Sequence, residues 1–146
     1  MNELQMETIV DGLEPIAFIL RADFDDSGLH FFTPDSFSQQ VAYMRHPKGK
    51  VIAPHIHNLV ARQVLYTQEA LLVRKGRVEV NLYTSRKSFL TSRILEAGDL
   101  ILLCGGGHSL RMLEETSMIE IKQGPYAGDN DKKTFEPQEG MYDPRE

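Results

Sequence analysis

Between Arg77 and Tyr83 polar and apolar residues alternate almost without a break: Arg, Val, Glu, Val, Asn, Leu, Tyr. Successive side chains of an extended chain project to opposite faces, so Val78, Val80 and Leu82 face one way and Arg77, Glu79, Asn81 and Tyr83 the other. Alternating or short apolar runs recur along the whole chain, broken by Gly, Pro, Asp or Ser about every eight to twelve residues. The three-and-four spacing that an amphipathic helix needs is almost absent. This constrains the fold more than any other feature: short strands must stack or close into a sandwich or barrel. The pattern predicts strands over 16–21, 29–32, 40–45, 51–57, 63–66, 69–75, 77–83, 89–95, 100–104, 109–113 and 118–123. Lys75-Gly76 is expected to close a hairpin, 84–88 to form a polar loop, and Ala97-Gly98-Asp99 another turn.

At 146 residues the chain suits a single domain, 1–146, large enough for one sizeable core. That core is expected at about 40–123, with loose ends: the first dozen residues and a Gly-, Pro- and charge-rich tail, 124–146, that wraps the body or a partner subunit through Tyr126 and Phe135. Sixteen Lys and Arg against 21 Asp and Glu leave a net charge of −5. That argues against nucleic acid or an anionic membrane as partner, since both call for clustered positive charge. One cysteine, Cys104, excludes an internal disulfide and a cysteine-based zinc site, and fits a cytoplasmic setting. The acidic N-terminus does not read as a secretory signal, and no apolar run approaches the roughly 18 residues of a bilayer span. The apolar strand Ile16-Ala17-Phe18-Ile19-Leu20 would be an aggregation hazard at an open sheet edge, so it is expected to be paired or covered.

Three of the five histidines fall in an informative pattern. His55-Ile56-His57 ends an extended segment, and residues i and i+2 of a strand share a face, so both imidazoles enter one space. Glu69 opens a strand in parity with Leu71 and Val73, where a carboxylate is costly unless a cation or donor meets it. His108 follows an apolar strand and the run Gly105-Gly106-Gly107, which permits close backbone approach. Three imidazoles and a carboxylate form a nitrogen–oxygen donor set suited to Fe, Mn, Ni, Co, Zn or Cu, with Zn, Fe, Mn or Ni the expected ion.

These stretches resemble the motifs of the cupin superfamily. Gly49-Lys-Val-Ile-Ala-Pro-His55-Ile-His57 is similar to the start of the first cupin motif, Glu69-Ala-Leu-Leu-Val-Arg-Lys-Gly76 to its second half, and Gly98 to His108 to the second motif. The resemblance spans about Gln40 to Gln123. It implies an antiparallel jelly-roll β-barrel holding one divalent metal ion on His55, His57, Glu69 and His108, and a homodimer. Eleven residues separate His57 from Glu69 where the family has three or four, so 58–68 is expected to bulge as a loop, with Gln63 the alternative fourth ligand. Cys104 stands at the usual proline, and His108 arrives one residue early.

Within the insertion Arg62, Gln63 and Tyr66 are candidates to reach a substrate, Arg62 by clamping an anion through its planar fork. Cys104 reads as a small buried hydrophobe rather than a nucleophile, and His30 and His46 as structural or exposed. The triple glycine lacks the Lys-Ser/Thr of a phosphate loop. The resemblance implies a small metal-dependent enzyme acting on a polar, oxygen-rich small molecule, with isomerase, lyase and dioxygenase chemistry all open. Two alternatives stand beside it: a non-catalytic binding module, and a metal-free nucleotide-sugar epimerase or ketoisomerase type using His55 or His57 as the base. Glu69 is a general-base candidate if it is not a ligand.

Overall fold

The computed structural model describes residues 6–137 and is built from antiparallel strands. In chain order these are β1 (Met6–Asp11), β2 (Glu14–Leu20), β3 (Gly28–Phe31), β4 (Ala42–Arg45), β5 (Glu69–Lys75), β6 (Arg77–Tyr83), β7 (Phe89–Glu96), β8 (Leu100–Leu103), β9 (Gly107–Met112) and β10 (Ser117–Lys122). They form a five-stranded sheet in the order β1-β2-β8-β5-β10, a three-stranded sheet β7-β6-β9, and a separate hairpin β3-β4.

The two larger sheets pack face to face. Ile16, Ile19, Leu71, Val73, Ile101 and Leu103 from the first meet Val78, Val80, Leu82 and Leu95 from the second in one buried cluster. The alternation in β6 therefore works as expected: its apolar positions are core, and Asn81, also buried, is satisfied by the Ser92 hydroxyl at 2.6 Å. On the outer face of the five-stranded sheet Phe18, Ala70 and Leu102 are covered by Phe37 and Val41, with Phe18 and Phe37 edge to face. The Lys75-Gly76 hairpin is present, Gly76 taking φ 92° with no room for a side chain against Glu115. Asp99 fixes the other turn: it accepts from the Ala22 and Glu96 amides and from Arg21.

Five expectations need correction. The barrel does not close: β9 and β10 are both sheet edges, and nothing in the described residues joins them into a continuous sheet. The strands expected at 51–57 and 63–66 do not form; residues 46–67 make an extended arm. A strand needs a neighbour for its N–H and C=O groups, and no backbone hydrogen bond among the described residues ties 51–66 to a sheet. The first dozen residues are not all irregular, since β1 covers the edge of β2 and buries Ile9. That places Ile16–Leu20 between β1 and β8, so its cover comes from the same chain. The core accordingly begins well before residue 40. The C-terminal segment is irregular as far as it is described, apart from one 3-10 turn at Gly128–Asn130, and packs through Phe135 against Tyr83, whereas Tyr126 is exposed. Among the described residues no helix is long and apolar enough to cross a membrane.

Candidate functional site

Two of the four expected metal ligands meet. Glu69, first residue of β5, shares the inward parity of Leu71 and Val73; His108, second residue of β9, stands opposite buried Leu82. Each thus comes from a different sheet, and His108 Nε2 lies 2.7 Å from Glu69 Oε1. The glycine run explains how His108 arrives there. A Cβ on Gly105 would strike the Pro15 carbonyl and one on Gly106 the Tyr83 carbonyl, so only glycine lets the chain thread between β2 and β6.

The neighbouring strand enlarges this polar patch. In β10, Glu120 lies across from Leu71 and Lys122 across from Glu69. Glu120 shares a hydrogen bond with Glu69, and Lys122 pairs with Asp131 at 2.9 Å, which also accepts from the Thr67 hydroxyl. Hydrogen bonding from His108 holds the Glu69 carboxyl down at about 2, despite its burial. Sharing a proton with that carboxylate raises Glu120. Glu69 is therefore ionised at neutral pH: it can orient His108 or bind a cation, but it is too weak a base to take a proton there. Sequence reasoning missed Glu120, Lys122 and Asp131. The alternation Ile119-Glu120-Ile121-Lys122 carried the signal for the first two, once β10 is known to pair with β5.

The other two expected ligands sit on the arm. The His55 and His57 rings are neighbours, with centroids 5.3 Å apart, as the His-x-His spacing requires. His55 Nδ1 lies 2.8 Å from the Ala53 carbonyl; donating there places the lone pair on Nε2, the tautomer a metal ligand needs. Arg62 turns back toward the Val60 carbonyl instead of reaching a cleft. Gln63 and Tyr66, near the root of the arm, do line an open cleft of about 1080 Å³ together with His108, Cys104 and Asp131. The root is held at Gln68, whose carbonyl accepts from the Gln39 side chain and the Gln123 amide.

The four residues expected as ligands do not converge within one chain. Among the described residues no group of three or more His, Cys, Asp or Glu is placed to hold an ion. The chain instead carries two half-sets, Glu69 with His108 on the body and His55 with His57 on the arm. Burial pushes the Cys104 thiol up to about 12, which keeps it protonated at neutral pH. Compared with known proteins, the chain matches no family model, no curated protein and no solved structure.

Proposed function

We propose that this protein is a metal-binding cupin of jelly-roll type, using His55, His57, Glu69 and His108 to hold one divalent ion, and that a polar, oxygen-rich small molecule binds in the cleft beside it. The observation that carries this reading is the preparation of two separate donor pairs. An imidazole tautomer fixed by Ala53 leaves a lone pair outward beside a second imidazole. A carboxylate kept ionised touches the third imidazole. Mixed imidazole and carboxylate donors suit Zn, Fe, Mn or Ni, and a bound ion of this class would supply a Lewis acid or, if iron, a centre for dioxygen. Around it Gln63 and Tyr66 offer neutral hydrogen-bonding groups to hydroxyl or carbonyl oxygens, and the acidic overall charge is consistent with a small-molecule ligand rather than a nucleic acid.

The test is elemental analysis of untagged protein purified without chelators, beside His55→Ala, His57→Ala and His30→Ala. Near-stoichiometric metal in the wild type and in His30→Ala, lost from the other two, is the expected result. Equal metal in His57→Ala contradicts the assignment.

A second reading is favoured by one observation. A histidine held 2.7 Å from an ionised carboxylate is an acid–base pair, so His108 oriented by Glu69 could move a proton without metal. Metal-free protein that turns over a sugar nucleotide, and loses activity in His108→Gln, would establish that reading over the first.

A further inference from the structure

The body has an unfinished side. His108, Leu110 and Met112 lie across β9 from Leu82, Val80 and Val78 and so share their inward face. The three partners on β6 are fully buried, yet Leu110 and Met112 are 36% and 46% exposed. Across the gap, Glu120 of β10 shares the face of buried Leu71 and is exposed as well. The inner surface is open between these two edges, and His108 and Glu69 sit at one end of the opening. Among the described residues nothing pairs with the outer edge of either strand.

The arm has the matching deficit. Residues 46–67 leave the β3-β4 hairpin at Arg45 and return at Gln68, and between them Val51, Ile56, Leu59, Leu65 and Tyr66 are at least three-quarters exposed. Leu29, Phe31 and Met44 continue this apolar surface onto the hairpin. The arm carries Lys48, Lys50 and Arg62 and no carboxylate, while the whole chain is at −5. An extended, basic, apolar segment thus stands apart from an acidic body with an open apolar slot and free strand edges. A monomer that left both exposed would carry a larger apolar surface than soluble monomers tolerate.

We infer that two copies of this chain exchange arms, each laying residues 46–62 over the β9/β10 opening of the other, so that His55 and His57 of one copy complete the ion site begun by Glu69 and His108 of its partner. The occupant of the opening is a second copy because the basic arm and the acidic body are opposite in charge, each carries half of the donor set, and both belong to one sequence. A two-fold exchange satisfies both at once and closes on itself. The completion of the ion site rests on the metal reading above; the exchange of arms does not.

Two measurements test the parts separately. Light scattering should find a dimer for the full chain, and Leu59→Asp with Val60→Asp should weaken dimerisation at least tenfold. Both residues are exposed, so circular dichroism of the variant should match the wild type. A monomer in the wild type, or a dimer untouched by the arm variant, overturns the exchange.

For the site, the His55→Ala/His57→Ala chain is coexpressed with the Glu69→Gln/His108→Ala chain, each on a different affinity tag that binds no metal. The doubly tagged heterodimer is then titrated with zinc. An exchanged site gives the heterodimer one intact set, so about half of the wild-type zinc should return, while each variant homodimer binds none. A wild type that binds zinc with no recovery in the heterodimer shows that the arm folds back on its own body and overturns completion by the partner. A wild type that binds no zinc overturns the metal reading and that completion together, and leaves the exchange to the light-scattering result.

Discussion

Val80 and Leu110 are cross-strand partners on one face of one sheet, yet the first is fully buried and the second is 36% exposed. The difference lies in what each side of the sandwich has been given. On the far side β1 is laid against β2, and Glu7 of β1 pairs with Arg93 of β7, so the two sheets are stitched across their edges. On the near side β9 and β10 end in open edges, and the segment with the composition to cover them stands away as the arm. The sealed side is a stability device. The open side is where titratable residues collect, Glu69, His108, Glu120 and Lys122 among them, since a site must remain reachable by its ligand.

This contrast is broken most easily from the sealed side. Leu82→Ala removes a fully buried side chain and should cost about 2–5 kcal/mol in urea unfolding, the same at every protein concentration. A loss below about 1 kcal/mol would show that the core there can collapse without penalty. Asp99→Ala strips two backbone amides and Arg21 of their shared acceptor, and should cost about 2–3 kcal/mol with no effect on metal content. By contrast Leu59→Asp, on the arm, should leave the unfolding of dilute protein unchanged and remove only the rise of Tm with protein concentration. A large shift at every concentration would place Leu59 in the core instead.

Smaller effects sharpen the comparison at the site itself. Glu69 ionises near 2 in the folded protein against an ordinary value of 4.5. A depressed carboxyl contributes stability that is fully present above its unfolded value and is lost as the pH falls through its folded one. In chelator-treated protein the advantage of wild type over Glu69→Gln should therefore fade between about pH 4.5 and about pH 2. A gap that widens on acidification would contradict the His108 pairing. The smallest effect concerns Cys104. With its thiol raised to about 12, iodoacetamide near neutral pH should modify it at least about tenfold more slowly than a free thiol. Fast labelling of folded protein would mean that burial does not hold the thiol in its protonated form.

What the sequence disclosed follows the same division. Strand 77–83 was legible because its alternation reports an inward apolar face, and Val78, Val80 and Leu82 are fully buried there. Residues 69–75, 89–95 and 118–123 read as strands from short apolar runs, although 69–75 is buried on both faces, 89–95 buries only Leu95 and 118–123 buries none. The arm misled for a related reason: Val51 to His57 has the composition of a strand, but pairing depends on a neighbour that no local pattern records. Glu69 and His108 could be singled out as chemistry-bearing residues, and the glycines before His108 do mark a close approach. Glu120 and Lys122 were invisible until the β5–β10 register placed them beside Glu69, since long-range pairing is not written in either strand alone. β1 was hidden by an acidic sequence whose only fully inward residue is Ile9.

The account stands on the arm and the body being two halves of one site, and hydrogen exchange of residues 46–62 with and without zinc reads that most directly. The arm amides, unbonded to either sheet within one chain, should become protected in the wild type. Zinc should deepen that protection in the wild type and leave it unchanged in Glu69→Gln/His108→Ala, where the arm itself is intact. Arm amides that exchange at free-chain rates in both proteins would contradict it.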